Sequence, residues 1–202
     1  MKRINVSGDS WKESVLSEAL SVLKAGGIVM YPTETCYGLA VDIFNEDALQ
    51  KLYKLKKMDT LKPVSIIVTS IEDAKKWAEI DEKAEDLMNE FWPGPYTFLV
   101  KRRDTLPMFF NKGITKVGLR NPSVSSIIRM VESFGRPVTT TSANVSGRPE
   151  SYNVSEFLGQ LKGLSNSFKP DLIIDAGFLG ENKPSTVYDV VDEVCLRGSM
   201  DL

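Results

Sequence analysis

The sequence predicts an α/β protein with a twisted mixed sheet and flanking helices. Three observations carry this. Segments of helical period alternate with short apolar runs along the 202 residues. Several of those runs follow one another too closely to be joined by helices, which favours a mixed sheet over a fully parallel one. The composition, 42% hydrophobic and 26% charged, suits one globular unit of this length.

The elements follow in order. Ser10-Trp11-Lys12-Glu13 reads as a capping box, and Trp11, Val15, Ala19 and Val22 recur at helical spacing until Gly26-Gly27 ends the helix. Ile28 to Tyr31 is a buried strand stopped by Pro32. Asn45 caps a helix with Ala48, Leu49, Leu52 and Leu55 inward, and Lys51, Lys54, Lys56 and Lys57 on its other face. Val64 to Val68 is a strand. Ser70 and Asp81 open two helices, the second with Ala84, Leu87, Met88 and Phe91 inward. Trp92-Pro93-Gly94-Pro95 is a rigid turn. Tyr96 to Val100 and Val117 to Arg120 are strands. Ile127, Ile128 and Val131 mark a helix that Gly135 ends. Val154 to Leu161 is helical, and Ser165 to Pro170 is a loop. Leu172 to Ile174, Thr186 to Val191 and Val194 to Arg197 close the sheet. There is no internal repeat or linker.

Exclusions follow from the totals. No stretch approaches the roughly 18 apolar residues of a membrane span. The N-terminus lacks an apolar signal region, so the expected location is cytoplasmic. Cys36 and Cys195 match no metal spacing and read as small buried hydrophobes. The net charge of −2 argues against a dedicated nucleic-acid binder. The chain has no histidine, which excludes His-based triads and His-ligated zinc. An enzyme built from this sequence works with Lys, Arg, carboxylates, hydroxyls and backbone dipoles. Phosphoryl and nucleotidyl transfer suit that set, because positioning and charge neutralisation do most of the work there.

Five segments are candidates for chemistry. Thr139-Thr140-Thr141-Ser142-Ala143-Asn144-Val145-Ser146-Gly147 packs hydroxyls and an amide too densely for an apolar interior, and reads as a strand end opening into a ligand-gripping loop. Thr33-Glu34-Thr35 follows a buried strand, where α/β sheets place ligands. The lysines 54, 56, 57 and 62 suit a polyphosphate, or else form a solvated helix face. Arg120 ends a strand and can clamp a carboxylate, or form a surface ion pair. Pro184-Ser185-Thr186 and Arg197-Gly198 bracket the last strands and could face the same pocket. Together they describe a concave site for a nucleotide and a small acid.

Combined in this order, Gly27 to Leu39, Trp92 to Thr97, Val117 to Pro122, Thr140 to Gly147 and Pro184 to Val187 resemble the YrdC family, the L-threonylcarbamoyladenylate synthases. The resemblance runs over a core of about residues 10–198 and implies a single YrdC-like domain, 1–202, with a large, positively lined concave cavity. It implies ATP, L-threonine and bicarbonate as substrates, with Mg²⁺ carried by ATP and no protein-held metal. It also implies a downstream tRNA threonylcarbamoyltransferase that makes N6-threonylcarbamoyladenosine in tRNAs reading ANN codons. On the family pattern Thr33, Arg120, Thr140 and Ser185 fall on threonine, with Arg120 reading its carboxylate. Lys56, Ser142 and Asn144 fall at catalytic and nucleotide-side positions, and Arg197 beside the nucleotide.

One departure stands out. The family's Lys-x-Arg pair reads Lys56-Lys57-Met58, and methionine supplies neither charge nor a hydrogen-bond fork. A paralogous branch typified by YciO alters the same pair, and Pro170 to Gly180 looks more like that branch, whereas Ser142-Ala143-Asn144 looks more like the synthases. The rival readings are therefore a YciO-like paralogue with weak or altered activity, and a non-catalytic tRNA- or dsRNA-binding translation or ribosome-maturation factor.

Overall fold

The computed structural model describes residues 1–162 and 169–200. Ten strands form one mixed sheet in the order β1-β8-β2-β3-β7-β4-β6-β5-β9-β10. The strands are β1 (Lys2–Asn5), β2 (Val29–Pro32), β3 (Tyr37–Ala40), β4 (Ser65–Ile67), β5 (Tyr96–Lys101), β6 (Lys116–Arg120), β7 (Thr139–Ser142), β8 (Leu172–Asp175), β9 (Thr186–Asp189) and β10 (Val194–Arg197). The helices are α1 (Glu13–Lys24), α2 (Glu46–Lys56), α3 (Ile71–Trp77), α4 (Glu82–Phe91), α5 (Ser125–Phe134) and α6 (Val154–Gln160). Most of the loop expected at 165–170 lies outside the described residues.

The period-two alternation of the central strands explains why both faces of the sheet are covered. Val29, Tyr31, Ile67, Leu172 and Ile174 join a core built on α1 and α5, with Val15, Ala19, Leu23, Ile127 and Met130. Their neighbours Met30, Ile66 and Ile173 point the other way, into a larger core with Leu49 and Leu52 of α2, Leu87 and Met88 of α4, and Phe157 of α6.

Strand β7 joins the two halves of the sheet. It runs antiparallel to β3, with Gly38 opposite Ser142, and antiparallel to β4, with Ser65 opposite Thr140. This corrects the expectation that the hydroxyl run cannot enter the interior. Thr139 is fully buried, and its hydroxyl accepts from Val41 N and donates to Leu39 O, both at 3.1 Å. A buried hydroxyl costs little once both its capacities are met.

Three other expectations change. Ser10 caps nothing: α1 starts at Glu13 behind Lys12, which makes no side-chain cap, and Ser126 Oγ instead accepts from Trp11 N at 2.9 Å. Pro32 lies inside β2, and the segment read as a strand–loop connection is a hairpin whose second strand is β3. Cys36 is buried but Cys195 is exposed, on an edge strand exposed along its whole length. Asn45, Ser70 and Asp81 do cap α2, α3 and α4, each accepting from the backbone N–H three residues on.

Candidate active site

Where β7 meets its neighbours, a cavity of about 310 Å³ opens, within the usual size of small-molecule sites. Its floor is close-packed sheet. A Cβ on Gly118 would sit 2.2 Å from Ser65 Oγ, and one on Gly38 would sit 2.8 Å from the Tyr31 ring. Glycine at both positions lets adjacent strands approach beneath the cavity.

Of the eight residues singled out from sequence, Thr33, Arg120, Thr140, Ser142, Ser185 and Arg197 line this cavity. Lys56 and Asn144 stand behind that lining, within reach of Ser142. Lys56 is 3% exposed and its Nζ donates to Asn144 Oδ1 at 2.8 Å and to Ser142 O. Ser142 Oγ donates to the same Oδ1 at 2.7 Å, and Asn144 Nδ2 donates to Arg148 O at 2.6 Å. Ser146 N donates to Lys56 O at 2.7 Å. The buried ammonium thus ties the end of α2 to the 142–148 loop. Burial pushes its pKa down to about 8. The solvated-face reading fails for this lysine and holds for Lys51, Lys54 and Lys57, which are exposed.

Arg120 is 7% exposed at the end of β6, held between Ile67 of β4 and Thr97 of β5. Its Nη2 donates to Glu34 Oε1 at 2.8 Å and to Thr35 Oγ1 at 3.0 Å. The surface ion-pair alternative is right about the pairing and wrong about depth: Arg120 is buried and Glu34 is only partly exposed. Glu34 reaches it from the four-residue turn between β2 and β3. Thr33 builds that turn, its Oγ1 accepting from Thr35 N and Cys36 N and donating to Cys36 O at 2.6 Å.

Across the cavity Arg197 binds Ser185 twice, Nε to the carbonyl and Nη2 to Oγ, each at 2.8 Å. This joins the start of β9 to the end of β10. Thr140 Oγ1 accepts from Tyr31 OH at 3.4 Å. Burial pushes the Cys36 thiol up, which keeps it protonated at neutral pH.

Sequence reasoning missed three charged participants. Glu34 is the partner of Arg120. Lys116 lines the cavity but is held at 2.7 Å by both Asp189 and Asp192. Glu150 adds a carboxylate to the wall. The cavity is thus of mixed charge, with two of its three cations already paired. For Glu34 the signal was present, a carboxylate between two threonines at a strand end. For Lys116 and Glu150 nothing local marked them. Among the described residues no group of three or more His, Cys, Asp or Glu could hold a metal, and no helix is long and apolar enough to cross a membrane.

The mixed ten-stranded sheet carries a cavity lined by hydroxyls and guanidiniums, a ligand-site architecture of the α/β class. The chain belongs to the family grouping Sua5, YciO and YrdC, described as "Telomere recombination", whose profile matches residues 21–198. It is 30% identical over 185 residues to a threonylcarbamoyl-AMP synthase of Pyrococcus abyssi, covering 91% of this chain and 52% of the relative. Among solved structures it resembles P. abyssi Sua5 complexed with L-threonine, with a TM-score of 0.84 and 30% identity over 95% of this chain and 55% of that one. It also resembles Escherichia coli YciO, with a TM-score of 0.85 and 25% identity over 98% of this chain and 95% of that one. The chain spans about half the length of the P. abyssi relatives.

Proposed function

We propose that this protein is an L-threonylcarbamoyladenylate synthase, a nucleotidyltransferase that makes threonylcarbamoyl-AMP and pyrophosphate from L-threonine, bicarbonate or CO₂, and ATP. The observation that carries the reading is Arg120: a buried guanidinium at a central strand end, lining one cavity with the hydroxyl residues Thr33, Thr140, Ser142 and Ser185. It is the group best placed to receive a carboxylate, on the donors that Glu34 and Thr35 leave free. Thr33, Thr140 and Ser185 stand on the threonine side. Ser142 and Arg197 stand on the nucleotide side, with Lys56 and Asn144 fixing the loop that carries Ser142.

The reaction needs little acid–base equipment. The free amine adds CO₂ and releases an N–H proton to solvent, giving a carbamate that is already an anionic nucleophile. One carbamate oxygen bonds to the α-phosphorus as the bond to the pyrophosphate oxygen breaks. The protein's task is alignment and neutralisation of phosphate charge. Arg197 serves that task, and Mg²⁺ arrives with the ATP. A cytoplasmic tRNA threonylcarbamoyltransferase would consume the product.

The name of the P. abyssi relative and the threonine in the Sua5 complex support this reading. A second reading, a YciO-like paralogue of altered activity, is favoured by one observation. Met58 packs against the hydrophobic core and is absent from the cavity wall, so the family arginine has no direct substitute there. Pyrophosphate release from Mg·ATP and bicarbonate, with and without L-threonine, separates the two. Threonine-dependent release supports the synthase. ATP binding without release supports the paralogue.

A further inference from the structure

The Arg120–Glu34 pair is incompletely satisfied in a particular way. Arg120 Nη2 has two acceptors, Glu34 Oε1 and Thr35 Oγ1. Among the described residues, Arg120 Nε is buried with no acceptor and Glu34 Oε2 is buried with no donor. Each orphan costs free energy where it stands, and both belong to the pair that joins the cavity-lining Arg120 to the turn behind it, so a small ligand reaching both would relieve both costs. The ligand must offer an anionic acceptor to Nε and a cationic or neutral donor to Oε2, a short distance apart. The zwitterionic head of an α-amino acid has that form, with a carboxylate and an ammonium on one carbon.

We propose that Glu34 is a specificity-determining residue of the acid subsite, receiving the α-ammonium of the amino-acid substrate while Arg120 receives its carboxylate. The inference rests on the threonine reading of the site and extends it. The turn supports the role. Thr33 Oγ1 fixes the backbone on either side of Glu34, and Asn182 Nδ2 donates to Glu34 O at 3.1 Å, tying the turn to the segment that leads to Ser185. The carboxylate is therefore held by the same elements that shape the subsite. The pairing also gives direction to the chemistry. The ammonium first gives one proton to solvent; its nitrogen then bonds to the carbon of CO₂ as one C=O bond opens to the carboxylate oxygen, and a second N–H proton leaves to solvent, so the positive charge is gone and a negative one has formed. Glu34 then repels the group it first held, and the anion moves toward the cations of the nucleotide side.

The test compares L-threonine with 2,3-dihydroxybutanoate, the same acid with a hydroxyl in place of the amine. Both are titrated calorimetrically into the full chain with α,β-methylene-ATP present. The wild type is expected to prefer threonine by roughly tenfold or more, the size of a charged hydrogen bond. Glu34→Gln is expected to bring the two acids within about twofold of each other, because it keeps the shape and removes the charge. Glu34→Asp is expected to retain part of the preference. A folded Glu34→Gln protein that weakens both acids equally, or keeps the preference, overturns the proposal. Should Glu34→Gln fail to fold, Glu34→Asp decides: an unchanged preference overturns it, a reduced one supports it. A folded wild type that binds neither acid overturns the threonine reading and this proposal together. Threonine binding with a preference indifferent to residue 34 overturns this proposal alone.

Discussion

Arg120 and Lys56 are both buried cations in the site region, and their environments separate their roles. Arg120 meets a carboxylate and a hydroxyl on the cavity wall, whereas Lys56 meets neutral oxygens behind it. Arg120→Ala is expected to raise the apparent KM for threonine roughly ten- to a hundredfold and that for ATP by far less. Equal losses in steady-state assays would remove Arg120 from the carboxylate role. For Lys56 the folded value of about 8 lies below its ordinary 10.5. Between those values the unfolded chain binds more protons than the folded one, so this group makes stability rise with pH there. Below about 8 the full cost of burying the charge is present. Denaturant unfolding of wild type and Lys56→Met across that window checks it: the wild type should gain on the variant as pH rises. Part of this was legible in the sequence. The sequence reading grouped Lys56 with Lys54 and Lys57 on the polar face, although it lies four residues beyond Leu52, on the side that the structure buries. Which atoms it would meet was not legible, because Ser142 and Asn144 lie far along the chain.

At the scale of elements, helices with side-chain caps and apolar stripes were readable, and short strands were readable only when apolar. β1 has only one partly buried residue in four, and the polar turn before β3 hid its hairpin partner. Hydroxyls do not by themselves signal loop. β7 is a central strand because Thr139 satisfies its hydroxyl on the neighbouring strand. Two substitutions probe elements. Asn153 Oδ1 accepts from Glu156 N at 2.9 Å at the start of α6, and Glu156 Oε2 accepts from Tyr152 N at 2.7 Å. Asn153→Ala should cost about 1 kcal/mol, read from the denaturation midpoint. Gly118→Ala would drive a methyl into Ser65 between β4 and β6. It is expected to lower both stability and substrate binding, and a variant with wild-type melting and affinity would show that the strands part freely.

For the whole molecule, the sequence predicted a mixed sheet covered on two faces and a concave site, and the structure has both. Four of the five scattered motifs lie at or beside strands of one sheet, whereas the lysine segment begins on α2 and brings only Lys56 to the site. The charge balance of the cavity was not legible: Glu34 pairs with Arg120, and Lys116, which no motif marked, is held by Asp189 and Asp192. The proposed reaction ends in a covalent product that joins threonine, one bicarbonate carbon and AMP. Mass spectrometry of a reaction containing the purified chain, Mg·ATP, L-threonine and isotopically labelled bicarbonate tests it. Threonylcarbamoyl-AMP whose mass carries the label is expected, formed in step with pyrophosphate and absent without threonine. Unlabelled or missing adduct from a folded, ATP-binding protein would contradict it.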